Sequence, residues 1–485
     1  MRHRWLVASG AALALALWFG VGRERRGSSS AHAHPRTSVA SHTATPSHGP
    51  LSRYRPKGCG YTVTLPVGVE DASLDDSASG DDARPIHVHV GWAGDPSSTF
   101  AVNWKTGEDT RLTEVVYGTD KSAVEAAATA GSSVSMQTGH TYVYGSGNVV
   151  FHDQTTRIHE VHVCGLHPNT TWYYKAGGPG HWSAVYDVAT GPAPGAAKPF
   201  RFSVAGDSRG EPEAFAEVER KIASEAPDFQ IFTGDAVSFG ANQSDWNAFF
   251  EASSDGFHVE DAMARIPFMP VNGNHESLVI NYFAEFALPG TVSPGEVADS
   301  GGGEWYAFSY GNAHFLMLDD QPTGSDLDHE TAWLKADLSK LDRHATPWVF
   351  AVHHKPMYTA SAHPPDMQAR QAWQPVFDQY KVDFVLNGHN HVYERSLPIR
   401  GFRPGGEIGA LAKADESGAP VDGSGTIYVV AGGAGAPLYD VGHAYFSARA
   451  EKTRNYVVFD IDGRTLTYRS MRPDGSRIES FTYSK

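Results

Sequence analysis

Two histidines spaced two apart, His389 and His391 in GHNHVYER (Gly388–Arg395), directly follow the apolar run VDFVL (Val382–Leu386). Residues i and i+2 of a strand share a face. If extended geometry continues past the run, both imidazoles face one point, and two such nitrogens suit a borderline transition metal. An HxH pair alone is a weak sign of a metal site, but four other apolar runs end in complementary groups. RFSVAG (Arg201–Gly206) leads to Asp207 and DFQIFTG (Asp228–Gly234) to Asp235. IPFMPVNG (Ile266–Gly273) leads to Asn274–His275–Glu276, and WVFAVH (Trp348–His353) to His354. Singly, Asp207 and Asp235 read as well as turn or cap residues, Asn274 as an Asx turn and His354 as a buried histidine. Five run ends in one order, each carrying Asp, Asn or His, point instead to one shared metal centre.

Each run is short, rich in β-branched and aromatic residues, and closed by Gly or by Lys355–Pro356, as buried strands are. Helical stretches such as Glu213–Ala226 and Arg370–Tyr380 lie between them, giving βα alternation. Ligands of open α/β sheets collect beyond the carboxyl ends of the strands, which is where all these candidates fall. From Pro85 to about Ala189 the pattern changes: IHVHVGW, FAVNWKT, TEVVYG, IHEVHVCGL and TTWYYKAGG alternate apolar and polar residues between turn signals, predicting an all-β sandwich. GPAPGAAKP (Gly191–Pro199) reads as the linker between the two parts, and VAGGAGAP (Val430–Pro437) as a loop at a strand end. The Gly-rich stretch Gly401–Gly425 reads as a surface excursion near the rim of the site.

The series Asp, GD, GNH(E/D), HxP histidine and GHxH resembles the calcineurin-like metallophosphoesterase superfamily. GNHE, VHHKPMY and GHNHVYER are most similar to its purple acid phosphatase branch. Upstream, GDPSSTFAVNWKT and GLHPNTTWYYKAGG resemble the fibronectin type III-like domain that precedes the catalytic domain in plant-type members. The expected fold is therefore a fibronectin III-like β-sandwich at residues 85–190, a linker at 191–199, and a four-layer α/β metallophosphoesterase sandwich at 200–485. The resemblance implies two metal ions (Fe, Zn or Mn), with Asp235 bridging. Asp207 and His391 would complete the first site, and Asn274, His354 and His389 the second. A bridging carboxylate can hold two ions roughly 3.5–4 Å apart.

His275 would face the substrate as phosphate clamp or as the acid that protonates the leaving alkoxide. His354 fills the HxP position, leaving its neighbour His353 on the opposite face of the strand. His363 and Arg209 are candidate substrate contacts; for Arg209 the alternative is a solvent-facing side chain. Two departures from the family pattern concern the first site. The tyrosine expected three residues after the bridging aspartate is Ser238, and the DxH of other superfamily members is Asp207–Ser208–Arg209. A colourless enzyme with Zn, Mn or ferrous iron accordingly fits as well as a ferric one, and the purple colour is no part of the expectation.

The 485 residues allow two or three domains, and the net charge of −16 disfavours a general nucleic-acid binder. Arg2 and Arg4 precede an apolar run from Trp5 to Val21, followed by Ala31–His32–Ala33, which reads as an export signal or, since Arg23, Arg25 and Arg26 follow, as a membrane anchor at 1–33. Residues 34–84 read as a tether and pre-domain segment. A disulfide between Cys59 and Cys164 would tie that segment to the sandwich, two unpaired thiols being the alternative. The predicted function is an exported acid phosphatase-like enzyme that hydrolyses small phosphomonoesters by direct attack of a metal-bound hydroxide. The alternatives are a phosphodiesterase or nucleotidase on the same centre, and a catalytically degenerate surface binding protein.

Overall fold

Alternation of side chains across two facing sheets organises the catalytic part. In the computed structural model Val349 and Ala351 of one strand meet helices, while Phe350 between them points to the opposite sheet, 5.0 Å from Phe202 and 5.3 Å from Phe459. Phe202, Phe229 and Phe315 fill the same layer. The structure describes residues 52–485 except 66–69, 72–78, 128–130, 132, 145–155, 278, 291–302, 323, 404–407 and 422. The expected signal or anchor at 1–33 and the first part of the tether lie outside them. Among the described residues no helix is long and apolar enough to cross a membrane.

One sheet has six strands, in the order Phe268–Pro270, Phe229–Phe232, Phe200–Ala205, Tyr456–Asp462, Thr465–Met471 and Arg477–Ser484; the first three are parallel and the rest antiparallel. The other has seven, with Ala313–Met317, Trp348–Val352, Phe384–Asn387 and Ile427–Ala431 parallel at its centre. The Pro212–Ser224 helix covers the first sheet through Phe215 and Ile222. The Ser325–Leu338 and Met367–Tyr380 helices cover the second through Leu334, Trp373 and Phe377. This is the four-layer α/β sandwich expected, and the five predicted strands all occur, each within two residues of its expected start.

The N-terminal part is a sandwich of a five-stranded and a four-stranded antiparallel sheet. Cys59 and Cys164 are joined by a disulfide, which pins the segment before the sandwich to the strand Thr156–Cys164. Sandwich and catalytic part share one core. Fully buried Trp92 lies 5.4 Å from Phe229, 5.7 Å from Phe308 and 5.5 Å from Tyr310, and the Tyr174 hydroxyl donates to the Ala264 carbonyl at 2.6 Å. The Gly401–Gly425 excursion bonds to the Met367–Tyr380 helix, through Gly401 N–H to Asp378 at 2.7 Å and Gln374 to the Gly401 carbonyl at 2.9 Å.

Candidate metal centre

Three of the candidate ligands have left-handed backbone: Asp207 (φ 61°), Asp235 (φ 56°) and His389 (φ 67°). For residues other than glycine this costs of order 1–3 kcal/mol each and persists only where surroundings enforce it. They do so here with hydrogen bonds between the loops. Asp207 N–H donates to the Gly234 carbonyl at 2.9 Å, and Ser208 N–H to the Asp235 carbonyl at 3.1 Å. His389 N–H donates to the Asp207 carboxylate at 2.9 Å. The glycine-rich loop after the Ile427–Ala431 strand closes over Asp207, whose carbonyl accepts from Gly435 and Ala436 at 2.9 and 2.7 Å. Close approach also explains two of the glycines. A Cβ on Gly388 would lie 2.4 Å from Asp207 Oδ2, and one on Gly273 only 2.3 Å from Asp235 Oδ1.

These turns correct the extended geometry expected after VDFVL. The strand stops at Asn387, and the chain folds back through Asn390 N–H to the Gly388 carbonyl and Val392 N–H to the Asn390 carbonyl, both 2.7 Å. The chain bends at left-handed His389, and the two histidine rings reach separate clusters. One comprises Asp235, His354 and His389, the other Asp207, Asp235 and His391; within each, the ligand atoms lie within 4.8 Å of one another. Asp235 belongs to both. Asn274 joins the former, with its side-chain oxygen 3.1 Å from His354 Nε2.

The donor set fits metal ions. His354 Nδ1 faces the Thr233 carbonyl at 2.8 Å and His391 Nδ1 the Pro437 carbonyl at 2.7 Å. A carbonyl only accepts, so Nδ1 carries the proton and each Nε2 keeps a lone pair for the cluster, as for metal-binding histidines. Burial raises Asp207, opposed by His391. Burial would also raise Asp235, but neighbouring His354 wins and holds that carboxyl below the usual range. Reciprocally, although burial lowers His354, Asp235 pushes it up to about 10. Burial, then the neighbouring His354, lowers His389 to about 3. A neutral His389 and an ionised Asp235 are the forms that ligate a cation, and at His354 the cation binds in place of the proton.

The remaining candidates surround these clusters. His275 Nδ1 donates to the Ser238 carbonyl at 2.7 Å, its Nε2 lies 3.8 Å from Asp235 Oδ2, and its side chain is 28% exposed. The His363 ring lies 4.4 Å from that of His389 and its Nε2 is 3.5 Å from the Tyr439 hydroxyl. Arg209 points inward, with Nε 3.4 Å from Asp235 Oδ2 and Nη2 3.3 Å from His391 Nε2. A cavity of about 140 Å³ adjoins it, lined by Ser208, Phe215, Val237, Ser238 and Phe249 among others. His353 is buried against Asp320 at 3.1 Å and the edge of Trp373, outside both clusters.

Three residues had no role in the sequence reading. Buried Glu276 accepts from Asp235 N–H at 2.9 Å, Gly273 N–H at 2.8 Å and Val237 N–H at 3.2 Å, joining two ligand loops. Buried Asn390 bonds to the backbone of His363. Both lie inside the GNHE and GHNH motifs, a signal that could have found them. Tyr439, whose ring stacks on His391 at 4.1 Å, comes from a loop distant in sequence and carries no such mark.

Comparisons with known proteins agree with the two-part fold. A family model for calcineurin-like phosphoesterases matches residues 200–393, and a model for the purple acid phosphatase N-terminal domain matches residues 85–190. Purple acid phosphatase 22 of Arabidopsis thaliana is 31% identical over 326 residues, covering 64% of this chain and 67% of the relative. Purple acid phosphatase 21 of the same plant is 30% identical over 327 residues, covering 65% and 67%. An uncharacterized protein of Mycobacterium tuberculosis is 28% identical over 395 residues, covering 72% and 69%. Among solved structures, the purple acid phosphatase PPD1 from yellow lupin (Lupinus luteus) seeds superposes with a TM-score of 0.68 at 19% identity, over 87% of this chain and 81% of that one.

Proposed function

The chain belongs to the purple acid phosphatase family of phosphoric ester hydrolases, and from that membership we propose an exported phosphatase acting on small phosphomonoesters at a two-ion centre. The observation that supports this most is the sharing of Asp235 between two Asp/His clusters. Asp207, Asp235 and His391 would hold one ion, and Asp235, His354, His389 and Asn274 the other, each Fe, Zn or Mn. When bound, such ions supply Lewis acidity toward phosphoryl oxygens and make a water nucleophilic.

The chain's own groups do the rest. Asp235 uses both carboxylate oxygens, Oδ1 facing His354 at 3.2 Å and Oδ2 facing Arg209 at 3.4 Å. His275 commits its Nδ1 proton to the Ser238 carbonyl, which leaves Nε2 as the atom that holds or releases a proton. Partly exposed beside the clusters, it suits protonation of the leaving alkoxide. Arg209 presents a fixed positive charge to phosphoryl oxygens, and His363, beside His389, adds a rim contact. The basic and apolar N-terminal sequence and the Cys59–Cys164 disulfide both support export to an oxidising compartment.

The test compares p-nitrophenyl phosphate with its bis ester, after chelation and with metal added back. Preferential turnover of the monoester is expected; turnover of the diester alone would reassign the centre to phosphodiester hydrolysis.

A further inference from the structure

We infer that the Arg209 guanidinium competes with the metal ion for the first pocket, so that the two pockets load unequally. One ion is held tightly by Asp235, His354, His389 and Asn274; the other is held weakly by Asp207, Asp235 and His391. This inference rests on the two-ion reading above and assigns Arg209 a role in setting metal occupancy.

The argument starts from which atoms Arg209 occupies. Its Nη2 lies 3.3 Å from His391 Nε2. Because His391 Nδ1 gives its proton to the Pro437 carbonyl, Nε2 holds the ring's only lone pair, the one an ion needs. Arg209 Nε lies 3.4 Å from Asp235 Oδ2, whereas His354 faces the other oxygen, Oδ1, at 3.2 Å. The arginine thus engages two donor atoms on the first-pocket side of the shared carboxylate. A guanidinium has five N–H donors, no acceptor and a permanent charge, so it cannot serve as a ligand there; it acts as a rival cation. Its side chain is 19% exposed, which limits screening by water.

Of the two neighbouring serines, Ser208 directs its hydroxyl proton to the Ala236 carbonyl at 2.9 Å and Ser238 gives its backbone carbonyl to His275. A unit charge about 4 Å from a divalent ion, at an effective dielectric near 20, opposes binding by about a millionfold if neither moves. Movement of the arginine relieves part of this, so affinities differing by at least about a hundredfold are expected.

The experiment titrates the chelator-stripped full chain with Zn²⁺ by calorimetry and checks bound metal after equilibrium dialysis. Wild type is expected to bind one ion tightly and a second at least about a hundredfold more weakly. Arg209→Ala and Arg209→Gln, both neutral, are expected to tighten the weak ion by about tenfold or more while leaving the tight one in place. Thermal melts of the stripped proteins check that both variants fold. Two ions of similar affinity in wild type, or a weak ion unchanged in both variants, would overturn the inference and leave the two-ion reading standing. A wild-type chain that binds no ion would overturn both.

Discussion

Asn390, between the two histidines of GHNH, grips the backbone of His363 on both sides: its amide oxygen accepts from His363 N–H at 2.9 Å and its amide nitrogen donates to the His363 carbonyl at 3.1 Å. The same nitrogen donates to Thr359 Oγ1 at 3.1 Å. A rim contact is thereby tied to the turn that presents His389 and His391. Asn390→Ala should leave metal content unchanged while lowering kcat/KM about tenfold, since a small misplacement of a positioning group costs that much or more. Steady-state kinetics beside metal analysis check it.

Glu276 holds Asp235 in its left-handed conformation through the 2.9 Å bond to its N–H. Glu276→Ala removes the acceptor shared by three buried N–H groups, and unsatisfied buried donors cost about 1–3 kcal/mol. Metal retention and activity should both fall, by about 10–100-fold, because the groups that orient ligands matter nearly as much as the ligands. Dialysis against a chelator, followed over time, reads the loss directly.

How much of this was legible beforehand depended on the physics involved. Buried strands announce themselves by short β-branched and aromatic runs, so the ends that carry Asp207, Asp235, Asn274, His354 and His389 could be located from pattern alone. Backbone reversal is less visible. The left-handed φ at Asp207, Asp235 and His389 arises from loop-to-loop hydrogen bonds among segments far apart in sequence, so extended geometry at His389 was the natural and mistaken expectation. For the same reason nothing local indicated that Tyr439 would stack on His391, or decided between the inward and solvent-facing readings of Arg209. Trp92, which looks like an ordinary sandwich residue, packs instead against Phe229 and Tyr310 of the catalytic part.

Stability should depend on pH through Glu219, on the buried face of the Pro212–Ser224 helix, whose carboxyl accepts from the Gln230 amide at 2.7 Å. Burial raises its carboxyl to about 7 from the usual 4.5. The folded state therefore binds more protons than the unfolded state between those values, and this contribution to stability is full below about 4.5 and lost as pH rises through about 7. Glu219→Gln, uncharged at every pH, should gain on wild type across that window, by roughly 3 kcal/mol at most. Urea denaturation at pH 5 and pH 8 checks the sign.

Removing the Cys59–Cys164 disulfide, which closes a sequence separation of 105, should destabilise the chain by about 2–5 kcal/mol. Cys59→Ser should nevertheless retain kcat, because the bond links the leading segment to the sandwich and touches none of the metal-binding loops. Denaturation midpoints with and without reductant, beside an activity assay, test both parts.

The central claim is that Asp235 serves two ions at once, and metal content measured together with activity tests it most directly. After chelation, wild type should lose p-nitrophenyl phosphate hydrolysis and recover it with Zn²⁺, Mn²⁺ or Fe²⁺. Asp235→Asn should recover neither metal nor activity, although it keeps its fold. Full hydrolysis by the chelated chain, or normal metal content and turnover in Asp235→Asn, would contradict the account.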